Sequence, residues 1–152
     1  MPIGRRERYT SALLRRWFIV SSTEISKPTD LIQSRQFAID AARLLSDTRC
    51  HNVVVLDVTG VSPVTDFFVL ATGTSPVQMK SACDDVQEMG EPRGFRALTR
   101  AEDSGTWTCI DLVDVVVHVF NHESRAYYEL DNLWGDAIKV DWKAAEEMSK
   151  SE

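Results

Sequence analysis

"NVVVLDVTGVSPVTDFFVLATGTSPVQ", residues Asn52 to Gln78, decides the fold. Its first seven residues are mostly β-branched and almost wholly apolar, the pattern of a strand covered on both faces. Gly60 and Pro63 interrupt that run as turn residues, and "DFFVLAT", Asp66 to Thr72, supplies a second buried strand. The period then changes. Ser75 is placed as an N-cap, Pro76 fits the first helical position, where no N–H is needed, and Gln78 stands three residues after the cap as in a capping box. Met79, Ala82, Cys83, Val86 and Met89 follow at helical spacing, and Gly90 ends the helix.

Working outward, Phe37, Ala38, Ala41, Leu44 and Leu45 predict an upstream helix over Leu31 to Ser46, with Ser34 or Asp30 as its N-cap. Downstream, residues 94–105 are irregular and leave room for a short strand near Arg96 to Thr99. "WTCIDL" and "DVVVHVF" read as two strands joined tightly around Val113 and Asp114, and a last helix runs from Ser124 to Asp131, ending near Leu133 and Trp134. This order predicts an α/β (α+β) domain, a mixed β-sheet flanked by helices.

The chain has 152 residues, 43% hydrophobic and 26% charged, which suits one globular domain. A membrane span needs about eighteen consecutive apolar residues; the best run, Leu13 to Val20, is short and broken by Arg15 and Arg16, so no membrane partner is expected. Charge is segregated. Residues 1–20 hold five arginines and one glutamate, whereas the remainder holds 12 basic and 22 acidic residues. An acidic body repels phosphate and so disfavours direct nucleic-acid binding, while a basic protein partner would be attracted and steered.

Three cysteines, Cys50, Cys83 and Cys109, are too far apart for a CxxC motif, and their odd number argues against a disulfide framework. They read as small buried hydrophobes in a reducing compartment. The N-terminal stretch is arginine- and serine-containing and poor in acids, which fits either an organelle transit segment or a plain basic extension. The expected organisation is therefore a basic extension over 1–28, a folded domain over 29–137 and a tail over 138–152. The expected compartment is the cytoplasm, or a mitochondrion or plastid if the leader is a transit segment.

Chemistry is sought next. "TGTS", Thr72 to Ser75, leads into a capped helix and could cradle an anion, but there is no GxxxxGK[ST] or GxGxxG, and the glycine is equally explained by the sharp strand-to-helix turn. A metal site on a strand needs acids two apart, so that both fall on one face. Asp111 and Asp114 are three apart and flank a turn, where their side chains are expected to bond backbone N–H groups; Asp84 and Asp85 diverge on a helix, as do Glu129 and Asp131. No metal and no cofactor are expected. His118 shares a strand face with Val116 and Phe120, opposite Val115, Val117 and Val119, with no nucleophile motif beside it, so it reads as a hydrogen-bonded structural residue or part of a contact surface. Nothing here calls for an enzyme.

What remains is an aromatic and arginine-bearing cluster: Trp107, Arg125, Tyr127, Tyr128, Leu133 and Trp134. Residues of these types dominate interface hot spots, yet some must be core. Helical spacing allows an inward stripe of Tyr127, Leu130 and Trp134 that leaves Arg125 and Tyr128 elsewhere, and pattern alone leaves core and interface evenly open for each aromatic.

Residues 31–137 resemble the ribosomal silencing factor family, RsfS or Iojap. The likeness rests on "LDVTGVSPVTDFFVLATGTS" and "WTCIDLVDVVVHVFNHESRAYYELDNLW", with Asp57, Asp66, Trp107, Asp111, Asp114, His118, Arg125, Tyr128, Leu130, Leu133 and Trp134 in order. The resemblance implies a nucleotidyltransferase-like fold without transferase activity. It also implies binding to the fourteenth protein of the large ribosomal subunit, blocking small-subunit association and so repressing translation. Organellar members imply a role in large-subunit assembly, and self-association is possible. The partner-facing residues it implies are Trp107, His118, Phe120, Arg125, Tyr128, Leu130, Leu133 and Trp134. Two departures stand out: Val113 replaces a usual glycine, and Asp131 replaces a usual glutamate, shortening any salt bridge by one methylene.

Overall fold

The computed structural model describes residues 31–143. One six-stranded sheet forms the frame, in the order β3-β4-β5-β2-β1-β6. The strands are β1 (His51–Asp57), β2 (Phe67–Thr72), β3 (Thr99–Asp103), β4 (Trp107–Asp111), β5 (Val115–Phe120) and β6 (Ile138–Val140). Only β2 and β5 run parallel; every other neighbouring pair is antiparallel. These two central strands, with β4 beside them, are buried along their whole length, as their continuous apolar runs require. The expected mixed sheet flanked by helices is what forms.

Helices α1 (Leu31–Asp47) and α2 (Pro76–Gly90) cover one face. Ser75 caps α2 as its position predicts, accepting from the Gln78 N–H at 3.1 Å. Gln78 answers by accepting from the Thr74 N–H at 2.9 Å, while its amide nitrogen donates to the Thr48 carbonyl at 2.8 Å and so ties the end of α1 to the start of α2. Gly90 closes the helix where a Cβ would lie 2.7 Å from the Phe95 carbonyl, and Phe95 stacks on Phe37 at 4.3 Å. Of the two caps expected for α1, Ser34 lies buried inside the helix and Asp30 is outside the described residues.

Helices α3 (His122–Tyr128) and α4 (Leu130–Leu133) cover the other face. The sequence reads as one helix here; it is two because Glu129 takes a left-handed conformation, φ 52°, and turns the axis. Two further differences concern strands. The strand foreseen near Arg96 forms three residues later as β3, an edge strand whose polar composition hides it from an apolar-run search. Residues 138–142, assigned by sequence to a tail, instead join the domain: β6 pairs with Val55 to Asp57, Val140 and Trp142 are buried, and the Trp142 indole donates to the Val53 carbonyl at 3.0 Å.

The β4–β5 connection shows what Val113 does in place of glycine. Its φ is 74°, the Asp114 N–H donates back to the Leu112 carbonyl at 3.0 Å, and the Val113 N–H donates to Asp111 Oδ1 at 2.8 Å. This is a γ-turn with a β-branched residue at the left-handed position, a strained arrangement. Asp111 is fully buried and acts as the turn residue that its position predicts.

Candidate partner-docking face

Helix α3 starts where Asn121 caps it, accepting from the Ser124 N–H at 2.8 Å. Its seven residues make two turns, and the break at Glu129 then resets the helical phase. The inward stripe expected from spacing is therefore reversed in part. Tyr128 turns inward and meets Trp107 with ring centroids 4.5 Å apart, whereas Tyr127 is 51% exposed and meets Tyr128 edge-on at 5.2 Å. Leu130 is buried as expected, and Trp134 is half-buried against Phe68 at 5.1 Å. Leu133, on α4, is 43% exposed.

Beneath this layer lies an aromatic core centred on Trp107. Its indole N–H donates to His118 Nδ1 at 3.0 Å, and Phe120 stacks on it at 5.0 Å. Nδ1 is thus the acceptor and the ring proton sits on Nε2, which is buried without a hydrogen-bond partner. Burial pushes the His118 pKa down to about 3, so the ring is neutral. Protonating Nδ1 would also set two N–H donors against each other. A neutral, enclosed imidazole can support a core; it cannot serve as a base for anything in solvent. Cys109 lies in the same cluster and Cys50 and Cys83 in the opposite one; all three are buried free thiols, with Cys83 pushed up to about 12 by burial.

Arg125 is held almost entirely by its own chain. Its guanidinium forks onto Asp131, Nε to Oδ1 at 3.3 Å and Nη2 to Oδ2 at 2.9 Å. Nη1 donates to Thr72 Oγ1 at 3.1 Å and to the Asn52 carbonyl. The shorter Asp131 therefore still makes a two-pronged bridge.

The eight residues implied by resemblance do not form one surface. Trp107, His118, Phe120 and Leu130 are at most 2% exposed, so the expectation that they face a partner is corrected: the three rings occupy inward strand positions beneath α3 and α4, and Leu130 is the inner anchor of α4. Arg125 faces the domain. Tyr128, Leu133 and Trp134 reach the surface, and Tyr127 joins them though spacing had turned it inward. Between Asn121 and Ala137 four acids, Glu123, Glu129, Asp131 and Asp136, surround one arginine. The segment that carries these aromatics thus has three more acids than arginines.

The alternative anion site fares poorly. A crevice of about 600 Å3 opens at the carboxyl ends of β2 and β5, lined by His51, Asn52, Thr72, Thr74, His122 and Glu123 among others. Several N–H groups of this turn are taken internally, Gly73 by the Phe120 carbonyl at 2.7 Å, Thr74 by Gln78 and Gln78 by Ser75, while Pro76 has none. Among the described residues no three His, Cys, Asp or Glu side chains are arranged to hold a metal, and no helix is long and apolar enough to cross a membrane.

The fold is an α+β domain whose second sheet face is covered by two short helices over an aromatic core. Comparison with known proteins gives the family. Residues 32–152 match the model described as "Ribosomal silencing factor during starvation", and the chain belongs to that RsfS family. It is 35% identical over 102 residues to ribosomal silencing factor RsfS of Bacillus subtilis, covering 66% of this chain and 86% of that one. Chloroplastic protein Iojap of Arabidopsis thaliana is 28% identical over 127 residues, 81% of this chain and 53% of its own length. Among solved structures, a Chromobacterium violaceum protein superimposes with a TM-score of 0.62 at 29% identity, covering 70% of this chain and 88% of that one.

Proposed function

We propose that this protein silences translation by position: the α3–α4 face docks on the basic fourteenth protein of the large ribosomal subunit, and the bound body excludes the small subunit. No bond is made or broken in this reading, and no cofactor takes part. The observation that supports it is the set of Tyr127, Tyr128, Leu133 and Trp134, partly exposed on the thinly covered side in a segment where acids outnumber arginines. Acidic charge steers a basic partner, and the apolar centre supplies affinity once water is excluded.

Leu133→Ala is the direct test, because Leu133 is exposed and its truncation leaves the core intact. Co-sedimentation with purified large subunits should weaken by roughly 2 kcal/mol, the range of a true hot spot, with the melting temperature nearly unchanged. Unaltered co-sedimentation would remove this face from consideration. A second reading, a large-subunit assembly adapter in a plastid or mitochondrion, draws support from the Iojap relative and the arginine-rich leader. It uses the same surface, and a subunit-joining assay separates the two: a silencer inhibits joining of mature subunits, an adapter does not.

A further inference from the structure

Helix α4 is four residues long and is entered through a left-handed residue, Glu129. So short a helix has no stability of its own, and a left-handed non-glycine residue adds strain. Something must hold it in place. Leu130 and Trp134 anchor its inner side by packing. Its outer side is held by Arg125, whose fork grips Asp131 within α4 while Nη1 reaches Thr72 at the end of β2 and the carbonyl of Asn52. Asn52 has φ 51°, and the β1–β2 register shifts between His51 and Val54, so the anchor point is an irregular, outward-turned piece of β1. The Arg125 side chain is only 13% exposed.

We infer that Arg125 is a positioning residue for docking: it does not touch the partner but fixes α4, and with it Leu133 and Trp134, against the β1 irregularity. This rests on the docking-face reading above and assigns to that face the element that shapes it. Four of the five guanidinium donors are spent inside the domain, so the fork itself is committed internally and at most one donor is left over. Only a planar fork with separate nitrogens can serve Asp131, Thr72 and Asn52 at once; a lysine ammonium cannot.

Three variants in the full chain test this, each read by large-subunit co-sedimentation and by amide hydrogen exchange of the free protein. Arg125→Lys should weaken binding about tenfold or more and raise exchange across residues 129–134. Asp131→Asn, which spares the bonds to Thr72 and Asn52, should do both to a smaller extent. Leu133→Ala should weaken binding by about thirtyfold with exchange unchanged. Lost binding with unchanged exchange in Arg125→Lys would make Arg125 a direct contact and overturn the inference, as would raised exchange with binding intact. If Leu133→Ala alone leaves binding intact, the docking face is wrong, a failure distinct from the exchange result for Arg125.

Discussion

The two faces of the sheet are built differently. One is roofed by α1 and α2, of 17 and 15 residues, over a core of Val, Ala, Leu and Cys with few rings. The other is roofed by α3 and α4, of 7 and 4 residues, and packs Phe68, Trp107, His118, Phe120, Tyr128 and Trp134. Small side chains under long helices are fully covered, and the apolar side chains left outside, Leu31, Ile32 and Val77, sit at the helix starts and not over the core. Large rings under a short roof bury enough area to hold the face together and still protrude at its margin. The difference teaches that on the thin face the residues proposed for docking also hold the fold together, so a substitution there has to be read twice.

The largest expected effect exposes that overlap. Trp107→Ala should cost about 3–5 kcal/mol in chemical denaturation, comparable with Phe37→Ala on the thick face, because both side chains are fully buried. Any loss of ribosome binding by Trp107→Ala is then a folding effect. A normal denaturation midpoint with lost binding would instead make Trp107 a contact and erase the distinction between roof and core.

His118 sharpens the comparison through pH. Its folded pKa lies below its unfolded value, so below pH 6.5 the unfolded chain takes up a proton that the folded one refuses. Stability from this group is complete above pH 6.5 and falls as pH drops toward 3, by about 2 kcal/mol at pH 5 at roughly 1.4 kcal/mol per pH unit. His118→Gln, whose side-chain oxygen can still accept from Trp107, should lack that component in pH-dependent denaturation. Equal pH slopes in the two proteins would mean the imidazole is not enclosed.

The smallest effect lies at the turn between β4 and β5. Val113→Gly relieves a β-branched residue at φ 74°, and we expect about 1 kcal/mol of added stability, offset in part by the greater freedom of glycine in the unfolded chain. Ribosome binding should be unaffected, since the turn lies away from Leu133. A destabilised Val113→Gly would show that the valine side chain contributes more than its backbone costs.

Much of the thick face was legible in sequence because its signals are local. Ser75, Pro76 and Gln78 announce α2 within four residues, and the stripe of Met79, Ala82, Cys83 and Val86 names its buried side. The thin face was legible only as a composition. Whether Tyr128 points in or out, and so covers Trp107, depends on where α3 stops, and that is set by Glu129, a residue with no sequence signature for a left-handed turn. Arg125 could be noticed but not placed, since its partners lie at Asn52, Thr72 and Asp131, brought together only by the fold. Strand β6 was missed for the same reason: three residues carry no periodicity, and their partner, β1, lies eighty positions upstream.

The outer margin of β1 has a consequence of its own. Strand β6 pairs with its second half, and in its first half the Asn52 and Val53 carbonyls are occupied by Arg125 and Trp142. At the opposite margin β3 presents a charged sequence, with Arg100 bound to Asp84 and Glu102. Among the described residues the two edge strands of the sheet are β6, only three residues long, and the charged β3, and short or charged edges discourage pairing with a second chain. Ending the chain before Ile138 would remove β6 and Trp142 together and expose the β1 ladder to pairing with other chains.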